Sequence, residues 1–537
     1  MRKFSLFLAL LAVLLQATAR ERSLDEKKNL AISVLQKSFS RSAQKTSSVE
    51  TMIVLQESRT FTIIGYPSGG FAVISNDDSN APILGYSLTG NIDNAPLSFK
   101  WWQQQIEQTM LYMERDGVAY IPSYTTQTPV SPIMKSTWDQ GVPYNNQCPV
   151  IGGGYSGNYV TGCVATAMAQ IMYYHQYPTK GAGSNSYPFT NEGGTVTTLK
   201  ADFGNTTYDW GNMIDNYAAG YSEAQANAVA TLMSHCGISV NMSYTVTGSG
   251  AYTYNAAKAL SDNFCYNKNI RYYSRDYFDT DEWMNLIYQD LAQNLPILYS
   301  GVDNQYGGHA FVVDGCDEKG LVHVNWGWNG EADGFFDIQA LNPQKYKFNY
   351  GQSMLLGIDP YKTYTYETFT VGQNFYATRK SSSLLSVTGT IYNMATRPFT
   401  GKMGVILISE NGSVRELYTI DCENVETNNG FKLGSGAQQI MVSLIPAGTY
   451  RLVLAAKSSE ETEWKTVRMA NGEVYEYTFV KTAKDYSMTA KTAEHTTGIS
   501  TISMSSATSP RIFDLQGREV KTPQKGIYII NGKKVVK

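Results

Sequence analysis

The apolar positions in the first quarter of the chain follow two different periods. Short apolar runs at 71–75 and 83–87 flank the turn-rich stretch 76–80, which predicts two strands. Between residues 97 and 115, large apolar side chains recur at helical spacing, at Trp101, Trp102, Ile106, Met110 and Met113. This spacing predicts a helix over that range. Residues 20–130 are therefore interpreted as a small α+β unit.

The pattern changes again along the rest of the chain. Residues 131–360 mix helical and strand periods, which indicates a larger α+β domain. Residues 361–480 carry short alternating segments separated by turns, which predicts a small immunoglobulin-like β-sandwich. The clearest of these segments are 384–391, 404–409 and 450–456. The predicted fold class of the whole chain is α+β.

Three further segments are predicted from composition. Thr and Pro dominate 125–132, so this boundary between the first two units should be extended and accessible. Ser, Thr and Ala dominate 481–510, which is typical of a flexible linker. Residues 511–537 are interpreted as a compact, strand-rich tail.

The N-terminus has the pattern of a secretory signal. Arg2 and Lys3 precede an apolar run from Phe4 to Leu15, and Ala17-Thr-Ala19 supplies a small-x-small cleavage site. Residues 1–19 are therefore predicted to be a signal peptide, because the apolar run is too short to cross a bilayer as a helix. No transmembrane segment is predicted. We expect an extracellular or outer-surface protein that is exported through the periplasm.

Charge and cysteine content exclude several classes of function. The chain has 43 Lys and Arg against 46 Asp and Glu, a net charge of −3, and no run of five basic residues. Nucleic acid is an improbable partner, because its binding needs a basic patch. The six cysteines include no CxxC pair, and no HExxH motif occurs, so a zinc site has little support.

One cysteine lies where a nucleophile could form. Residues 161–178 predict a helix with one apolar face, at Val164, Met168, Ile171 and Met172, which starts near Cys163 and ends before Pro178. Gly162 allows a sharp turn into the helix. A helix N-terminus lowers the pKa of a thiol, and its free N–H groups can hold an oxyanion. The alternative is a buried cysteine that serves as a small apolar side chain.

Such a nucleophile needs a base, and the chain has five histidines. His175 follows Cys163 by 12 residues, about 18 Å along a helix, too far to reach it. His235 belongs to a helical pattern, His323 to a strand, and His495 to the Ser/Thr-rich tail. His309 opens a predicted strand after a Gly-Gly loop, a position from which a side chain can reach a cleft. His309 is the predicted general base and acid.

A third residue follows from the predicted hairpin after His309. Folding the chain about residues 317–318 places Asn325 opposite residue 309 or 311, within about 4.5–8 Å at Cβ. An Asn side chain there can accept the imidazole N–H and orient the ring, while Trp326 and Trp328 could shield that bond from water. Cys163, His309 and Asn325 then form a Cys-His-Asn arrangement.

At this point the sequence resembles the streptopain-like cysteine peptidases, which include the interpains of oral Bacteroidota. The matching stretches are Lys135-Ser-Thr-Trp-Asp-Gln-Gly-Val-Pro-Tyr-Asn145, Thr161-Gly-Cys-Val-Ala-Thr-Ala-Met-Ala-Gln-Ile-Met172, Gly308-His-Ala-Phe-Val-Val-Asp-Gly315 and His323-Val-Asn-Trp-Gly-Trp-Asn-Gly330. The resemblance implies a papain-like catalytic domain over 131–360 and an inhibitory propeptide over 20–130. It also assigns Gln140 to the oxyanion hole, beside the backbone N–H of Cys163.

The tail resembles a second kind of signal. Arg511-Ile-Phe-Asp-Leu-Gln-Gly-Arg518 and Lys525-Gly-Ile-Tyr-Ile-Ile-Asn-Gly-Lys533 are similar to C-terminal sorting signals of the type IX secretion system. That resemblance implies the type IX secretion machinery as a partner. The alternative is a last β-hairpin of the preceding sandwich.

Together these features predict a secreted bacterial cysteine endopeptidase that is made as a zymogen. Its expected partners are protein and peptide substrates and its own propeptide as an inhibitor, and no metal or organic cofactor is implied. Two alternatives remain. One is an amidase or acyl transferase with the same Cys-His chemistry, and the other is an inactive surface-binding protein on the same fold.

Overall fold

The computed structural model describes residues 20–39, 51–120, 127–303, 307–339, 351–361, 368–433 and 438–493, and three strands near the C-terminus. The predicted signal peptide, 1–19, lies outside the described residues, as do parts of both predicted linkers, 121–126 and 494–510. The architecture is α+β, as the sequence predicted.

The N-terminal unit contains two helices that enclose a four-stranded antiparallel sheet. Its elements are α1 (Leu24–Phe39), β1 (Ile53–Glu57), β2 (Phe61–Gly65), β3 (Phe71–Ser75), β4 (Ile83–Ser87) and α2 (Leu97–Arg115). The predictions of a helix at 97–115 and of strands at 71–75 and 83–87 are confirmed. Every residue of β2, β3 and β4 is buried, because α1 covers one face of the sheet and α2 covers the other.

The next unit carries four longer helices and twelve strands among its described residues. Its helices are α3 (Cys163–His175), α4 (Glu223–Ser239), α5 (Thr253–Asp262) and α6 (Thr280–Leu291). Its strands are β5 (Val150–Gly152), β6 (Tyr155–Asn158), β7 (Asn185–Thr190), β8 (Val196–Ala201), β9 (Ser243–Thr245), β10 (Gly248–Gly250), β11 (Arg271–Ser274), β12 (Ile297–Asp303), β13 (Gly307–Cys316), β14 (Val322–Asn325), β15 (Gly334–Phe336) and β16 (Ser353–Leu356). Capping boxes at Ser222 and Asp279 begin α4 and α6, because each side chain accepts a hydrogen bond from an otherwise unpaired N–H of the first turn.

One sheet joins these two units. Its ten strands follow the order β1-β2-β3-β4-β15-β14-β13-β12-β16-β11, and β4 pairs antiparallel with β15. The N-terminal unit therefore adds its strands to an open edge of the sheet of the second unit, which the sequence did not predict. The sheet buries one core against α3 and a second core against α2 and α6.

The predicted linker at 125–132 is only partly open. Val130 forms a β-bridge with Cys316, with its N–H 2.8 Å from the Cys316 carbonyl oxygen. The Ile133 N–H then donates to the Asp314 carbonyl at 3.1 Å. From Val130 onward the chain is therefore attached to the end of β13, and the exposed residues Thr128 and Pro129 lie just before this attachment.

The β-sandwich is present and extends beyond its predicted end. Its strands are β17 (Thr370–Arg379), β18 (Leu384–Asn393), β19 (Phe399–Ser409), β20 (Val414–Val425), β21 (Gly430–Lys432), β22 (Gln438–Met441), β23 (Gly448–Ser458), β24 (Lys465–Thr466), β25 (Arg468–Met469), β26 (Val474–Lys481) and β27 (Tyr486–Thr492). Strand β27 pairs with β26 inside the segment predicted as linker, so that linker begins later than residue 481. Large apolar side chains from both sheets fill one core.

Residues 1–497 form one compact unit, and residues 498–537 form another. The second unit contains the three-stranded sheet β28 (Ile512–Phe513), β29 (Ile527–Ile530) and β30 (Lys533–Val536). Among the described residues, no helix has the length and apolar character that crossing a membrane requires.

Candidate active site

Cys163 is the first residue of α3, as predicted. The preceding Gly162 has a φ of +89°, and a β-carbon there would lie 2.8 Å from the Met242 side chain and from the Ser249 carbonyl oxygen. Any larger residue would be strained in conformation and crowded by its neighbours. The glycine therefore permits the turn that presents the thiol at the helix N-terminus.

Cys163 and His309 line the same cleft, which has a volume of about 870 Å³. The cleft lies between α3 and α5 on one side and the strands β12 and β13 on the other. Cys163 is half-buried, and so is His309. The wall of this cleft thus includes both residues that the sequence predicted as nucleophile and base.

The other described histidines are engaged elsewhere. His175 contacts the Ile358 carbonyl through Nε2 at 3.0 Å, and His235 contacts the Tyr208 hydroxyl through Nδ1 at 3.1 Å. Burial lowers the pKa of each to about 4. His323 lies 2.5 Å from the Asp314 carboxylate. Burial alone would lower the pKa of His323, but Asp314 more than offsets this and raises it.

The ionisation of Cys163 differs from the sequence prediction. Burial in the cleft raises the pKa of its thiol, although the backbone N–H groups of Ala310 and Val164 act in the opposite direction. Burial therefore opposes the stabilisation of the thiolate by the N–H groups at the helix N-terminus. A nearby imidazolium would lower the thiol pKa, because an opposite charge stabilises the thiolate.

Gln140 is buried next to the start of α3. Its carbonyl oxygen accepts a hydrogen bond from the N–H of Thr161 at 3.1 Å. Thr161 is two residues before Cys163, so this bond holds the Gln140 loop beside the nucleophile. The arrangement is compatible with an oxyanion hole formed by the Gln140 amide and the Cys163 N–H.

The predicted pairing of Asn325 is wrong. Asn325 pairs with Val312 rather than with residue 309 or 311. The turn is closed by the Asp317 N–H and the Leu321 carbonyl, so it is centred on Lys319, and a β-bulge follows Val313 on β13. Both features shift the register of the hairpin.

Asn325 makes its hydrogen bonds to the helix and loop that flank the cleft. Its Nδ2 donates to the Ser136 carbonyl at 2.7 Å and to Gln170 Oε1 at 3.2 Å, and its Oδ1 accepts from Gln170 Nε2 at 3.0 Å. The Gly327 N–H also donates to Oδ1 at 3.0 Å. None of these four hydrogen bonds goes to His309.

Gln170 is the residue that the sequence analysis missed. It has no exposed surface, and its Oε1 also accepts from the Ser136 hydroxyl at 3.0 Å and the Trp138 N–H at 3.2 Å. Gln170 thus joins α3, the loop that leads to Gln140, and β14. A usable signal was present, because residue 170 lies seven positions after Cys163 on the same helix face.

Trp326 and Trp328 belong to the core on the other face of the sheet. Trp326 is buried, donates from Nε1 to the Ala332 carbonyl at 3.1 Å, and packs against Phe311 with ring centroids 4.9 Å apart. Phe99 of α2 also contacts Trp326, at 6.0 Å between centroids. Trp328 is half-buried at the edge of the same core.

The N-terminal unit packs behind the strand that carries His309. Gly301 on β12 pairs with His309, and a β-carbon at Gly301 would lie 2.4 Å from the ring of Trp101 on α2. Among the described residues, those that line the cleft come from 163–353 and from the sandwich, and not from the N-terminal unit.

Known proteins resemble this chain over both units. A family model of the peptidase C10 family matches residues 138–336, and a model of the Spi protease inhibitor matches residues 23–110. Streptopain from Streptococcus pyogenes is 35% identical over 376 residues, which span 63% of this chain and 92% of streptopain. The chain belongs to the peptidase C10 family. It is a cysteine peptidase that carries an inhibitor propeptide.

Two further C10 relatives agree with this assignment. The thiol protease/hemagglutinin PrtT from Porphyromonas gingivalis is 34% identical over 316 residues, which span 54% of this chain and 36% of PrtT. The structure of a prointerpain A fragment from Prevotella intermedia is 39% identical and has a TM-score of 0.53. It covers 57% of this chain and 98% of that fragment. The predicted family and the predicted α+β fold class are thereby confirmed.

The buried contact between Asn325 and Gln170 leads to a first prediction. Asn325→Ala and Gln170→Ala should each lower the free energy of unfolding of the proenzyme by about 1–3 kcal/mol, because each leaves a buried polar partner unsatisfied. The double variant should lose clearly less than the sum of the two, since both remove the same bonds. Chemical denaturation of all four proteins measures this coupling.

Gln289→Ala is the control, because Gln289 is an exposed glutamine on α6. It should change the free energy of unfolding by no more than about 0.5 kcal/mol. Additive losses for Asn325→Ala and Gln170→Ala would show that the two amides do not act as one unit.

Proposed function

We propose that this C10 peptidase is a secreted cysteine endopeptidase in which Cys163 is the nucleophile and His309 is the base. The observation that carries the proposal is that both residues line one cleft, with Cys163 at the N-terminus of α3. The relatives named streptopain and thiol protease support a peptide-bond substrate.

The reaction then follows from the groups at hand. His309 takes the proton of the Cys163 thiol, and the thiolate attacks the scissile carbonyl. The Gln140 amide and the Cys163 N–H hold the oxyanion, and His309 returns the proton to the leaving amine. Water hydrolyses the thioester, with His309 acting again as base. Protein and peptide substrates fit this chemistry, and no step draws on a metal or an organic cofactor.

Asn325 enters this proposal in a changed role. Its contacts support a function in holding the Gln140 loop and β14 against α3 through Gln170. Direct orientation of the His309 ring by Asn325 stays a prediction for the mature enzyme.

The catalytic pair leads to a second prediction. Cys163→Ala, His309→Ala and the double variant should all leave nearly the same residual activity, because the two residues act as one unit and their losses are not additive. Activity toward a fluorogenic peptide, measured on enzyme matured by added wild-type protease, tests this. Activity near the wild-type level in matured Cys163→Ala would contradict the mechanism.

We further propose how the propeptide keeps the enzyme inactive. Ala310 and Val312 face α3, whereas Phe311 and Val313 face the core that contains Trp101. Since side chains alternate along a strand, His309 belongs to the Trp101 side, and its partner Gly301 leaves room for that ring. Packing by Trp101 would then hold His309 away from Cys163. Release of the propeptide would free the strand pair to present the imidazole to the thiol.

This mechanism leads to a prediction about maturation. On incubation, the wild-type proenzyme should shorten to new N-termini between residues 122 and 135, and before Val130 in particular, because the chain is paired with β13 from there onward. Cys163→Ala should stay full length until active enzyme is added. Mass spectrometry of the products measures both outcomes.

Trp101→Ala should mature faster than wild type, because the Trp101 ring no longer packs on the face of β13 to which His309 belongs. Tyr112→Ala is the matched control, since Tyr112 is an exposed aromatic residue on the same helix. Equal maturation rates for all three proteins would contradict the proposed role of Trp101. Unaided maturation of purified Cys163→Ala would contradict self-processing.

Export is proposed to use both ends of the chain. The predicted signal peptide directs the chain to the periplasm, and the tail directs it onward through type IX secretion. The tail resembles such signals, and its three strands form a separate sheet in a separate compact unit, which favours a sorting signal over a last hairpin of the sandwich.

The tail assignment leads to a further prediction. Deletion of residues 511–537 should retain the protein in the periplasm of a host that has type IX secretion, because the sorting signal is lost. Peptidase activity in cell extracts should persist, since Cys163 and His309 lie outside the deleted segment. Immunoblots of periplasm and medium measure the distribution. Unchanged release into the medium would show that the tail is not a sorting signal.

A further inference from the structure

The β-sandwich reaches the cleft that contains Cys163. Among the described residues of the sandwich, Asn428 lines the cleft wall. It is exposed in the turn between β20 and β21 and is not part of the sandwich core. Residues 426–429, with the sequence Glu-Thr-Asn-Asn, are called the Asn428 turn here. The sandwich is therefore part of the wall of the candidate active site.

The Asn428 turn is fastened to the sandwich by a buried asparagine. Asn393 at the end of β18 has no exposed surface, and its carbonyl accepts from the Asn428 N–H at 2.7 Å. The Asn393 N–H donates to the Asn429 carbonyl at 2.9 Å, and its Nδ2 donates to the Val425 carbonyl at 2.9 Å. A turn held at both ends by one buried residue has little freedom to move away.

The segment after Asn393 fastens the turn to the catalytic unit. Ala395 forms a β-bridge with Arg271 of β11, and the Thr396 hydroxyl donates to the Ile270 carbonyl at 2.5 Å. The Thr427 hydroxyl donates to the Ala395 carbonyl at 2.8 Å. The position of the Asn428 turn is thus set by β11, a strand of the catalytic sheet.

The strand order of the sheet gives the distance between β11, which supports the Asn428 turn, and His309 on β13. Strand β11 is three strands away from β13, in the order β13-β12-β16-β11. At about 4.8 Å between strands, β11 lies roughly 14 Å from His309 across the sheet. An extended peptide covers that distance with about four residues. Tyr272 of β11 also lines the cleft, so the cleft continues from Cys163 as far as the sandwich.

The groups on this part of the wall suit an extended peptide. An exposed amide offers both donors and an acceptor, which match the N–H and C=O groups of a peptide backbone. Beside it, Tyr252 stacks on Tyr254 with ring centroids 5.4 Å apart, and Tyr254 meets Tyr272 edge to face at 6.0 Å. All three tyrosines line the same cleft and give this part of its wall an aromatic character.

We propose that the Asn428 turn forms an outlying substrate subsite, so that the sandwich helps to select the residue about four positions from the scissile bond. This inference rests on the proposed catalytic role of Cys163 and His309. The sandwich then contributes to substrate choice. It contacts long peptides, whereas short peptides do not reach the Asn428 turn.

Two substitutions at Asn428 test the proposal. Asn428 has a φ of +63°, which Gly and Asp also tolerate, so Asn428→Gly and Asn428→Asp should keep the backbone of the turn. Asn374→Gly and Asn374→Asp are matched controls, because Asn374 is exposed in the same sandwich with a φ of +55° and is absent from the cleft wall. All variants are made in the full chain and matured with added wild-type enzyme.

The measurement is kcat/KM for two sets of quenched fluorescent peptides. Short peptides carry two residues on each side of the scissile bond, and long peptides carry five. The long peptides bear Ala, Lys or Glu at the fourth position on one side or the other. Asn428→Asp should raise kcat/KM for Lys and lower it for Glu by about three-fold each at low salt, as expected for charges about 7 Å apart in water. Asn428→Gly should reduce kcat/KM for all long peptides, and short peptides should be unaffected.

The outcomes separate this inference from the proposed function. Equal profiles for wild type, the Asn428 variants and the Asn374 variants would contradict the subsite, and so would an equal loss on short and long peptides. If the wild-type enzyme cleaves none of the peptides, the proposed function fails. In that case, fluorescence anisotropy with the same long peptides and full-length Cys163→Ala proteins still decides the subsite, because weaker binding caused by Asn428→Gly would support it and unchanged binding would overturn it.

Discussion

The alternation of side chains along β13 is the constraint on which the rest of this molecule depends. One face of the strand packs on α3, whose first residue is Cys163, and the other face packs on the propeptide core. A strand cannot present the same side chain to both faces. His309 therefore belongs to a strand whose position is set by packing on both faces.

The propeptide is built into the fold rather than laid over the cleft. Its sheet continues the catalytic sheet through the pairing of β4 with β15, and its helix α2 shares a core with β13. Backbone hydrogen bonds set its register, while burial of large aromatic rings such as Trp101 and Trp102 supplies most of the free energy that holds it. The contacts that hold the propeptide are thus part of the folded sheet and of its core.

A small number of buried polar side chains align the elements around the cleft. Gln170 joins α3 to the Gln140 loop and to Asn325, and Asn393 holds the Asn428 turn against the catalytic sheet. Leaving either buried amide without a hydrogen-bond partner would cost free energy. The elements that these amides join can therefore adopt few alternative arrangements. Packing alone would leave the relative positions of these elements less well defined.

The sequence by itself determined the features that depend on neighbouring residues. The spacing of apolar side chains predicted α2 at 97–115 to the residue, and the small Gly162 with an apolar helical face predicted that α3 begins at Cys163. The choice of Cys163 and His309 as lining one cleft was also accessible, because the sequence has five histidines and His309 opens a strand after a Gly-Gly pair. Family resemblance added Gln140, which is buried beside the start of α3, and its role in an oxyanion hole stays a prediction.

Only the tertiary structure decided the features that depend on register and on distant chain segments. The turn centred on Lys319 and the bulge after Val313 moved Asn325 opposite Val312, and a shift of one position changes the face to which a strand residue points. The pairing of β4 with β15 depends on which sheet edges stay open, and the Asn428 turn reaches the cleft through residues more than 100 positions away. No local pattern of apolar and polar residues records such contacts, because they are selected by the packing of the whole chain.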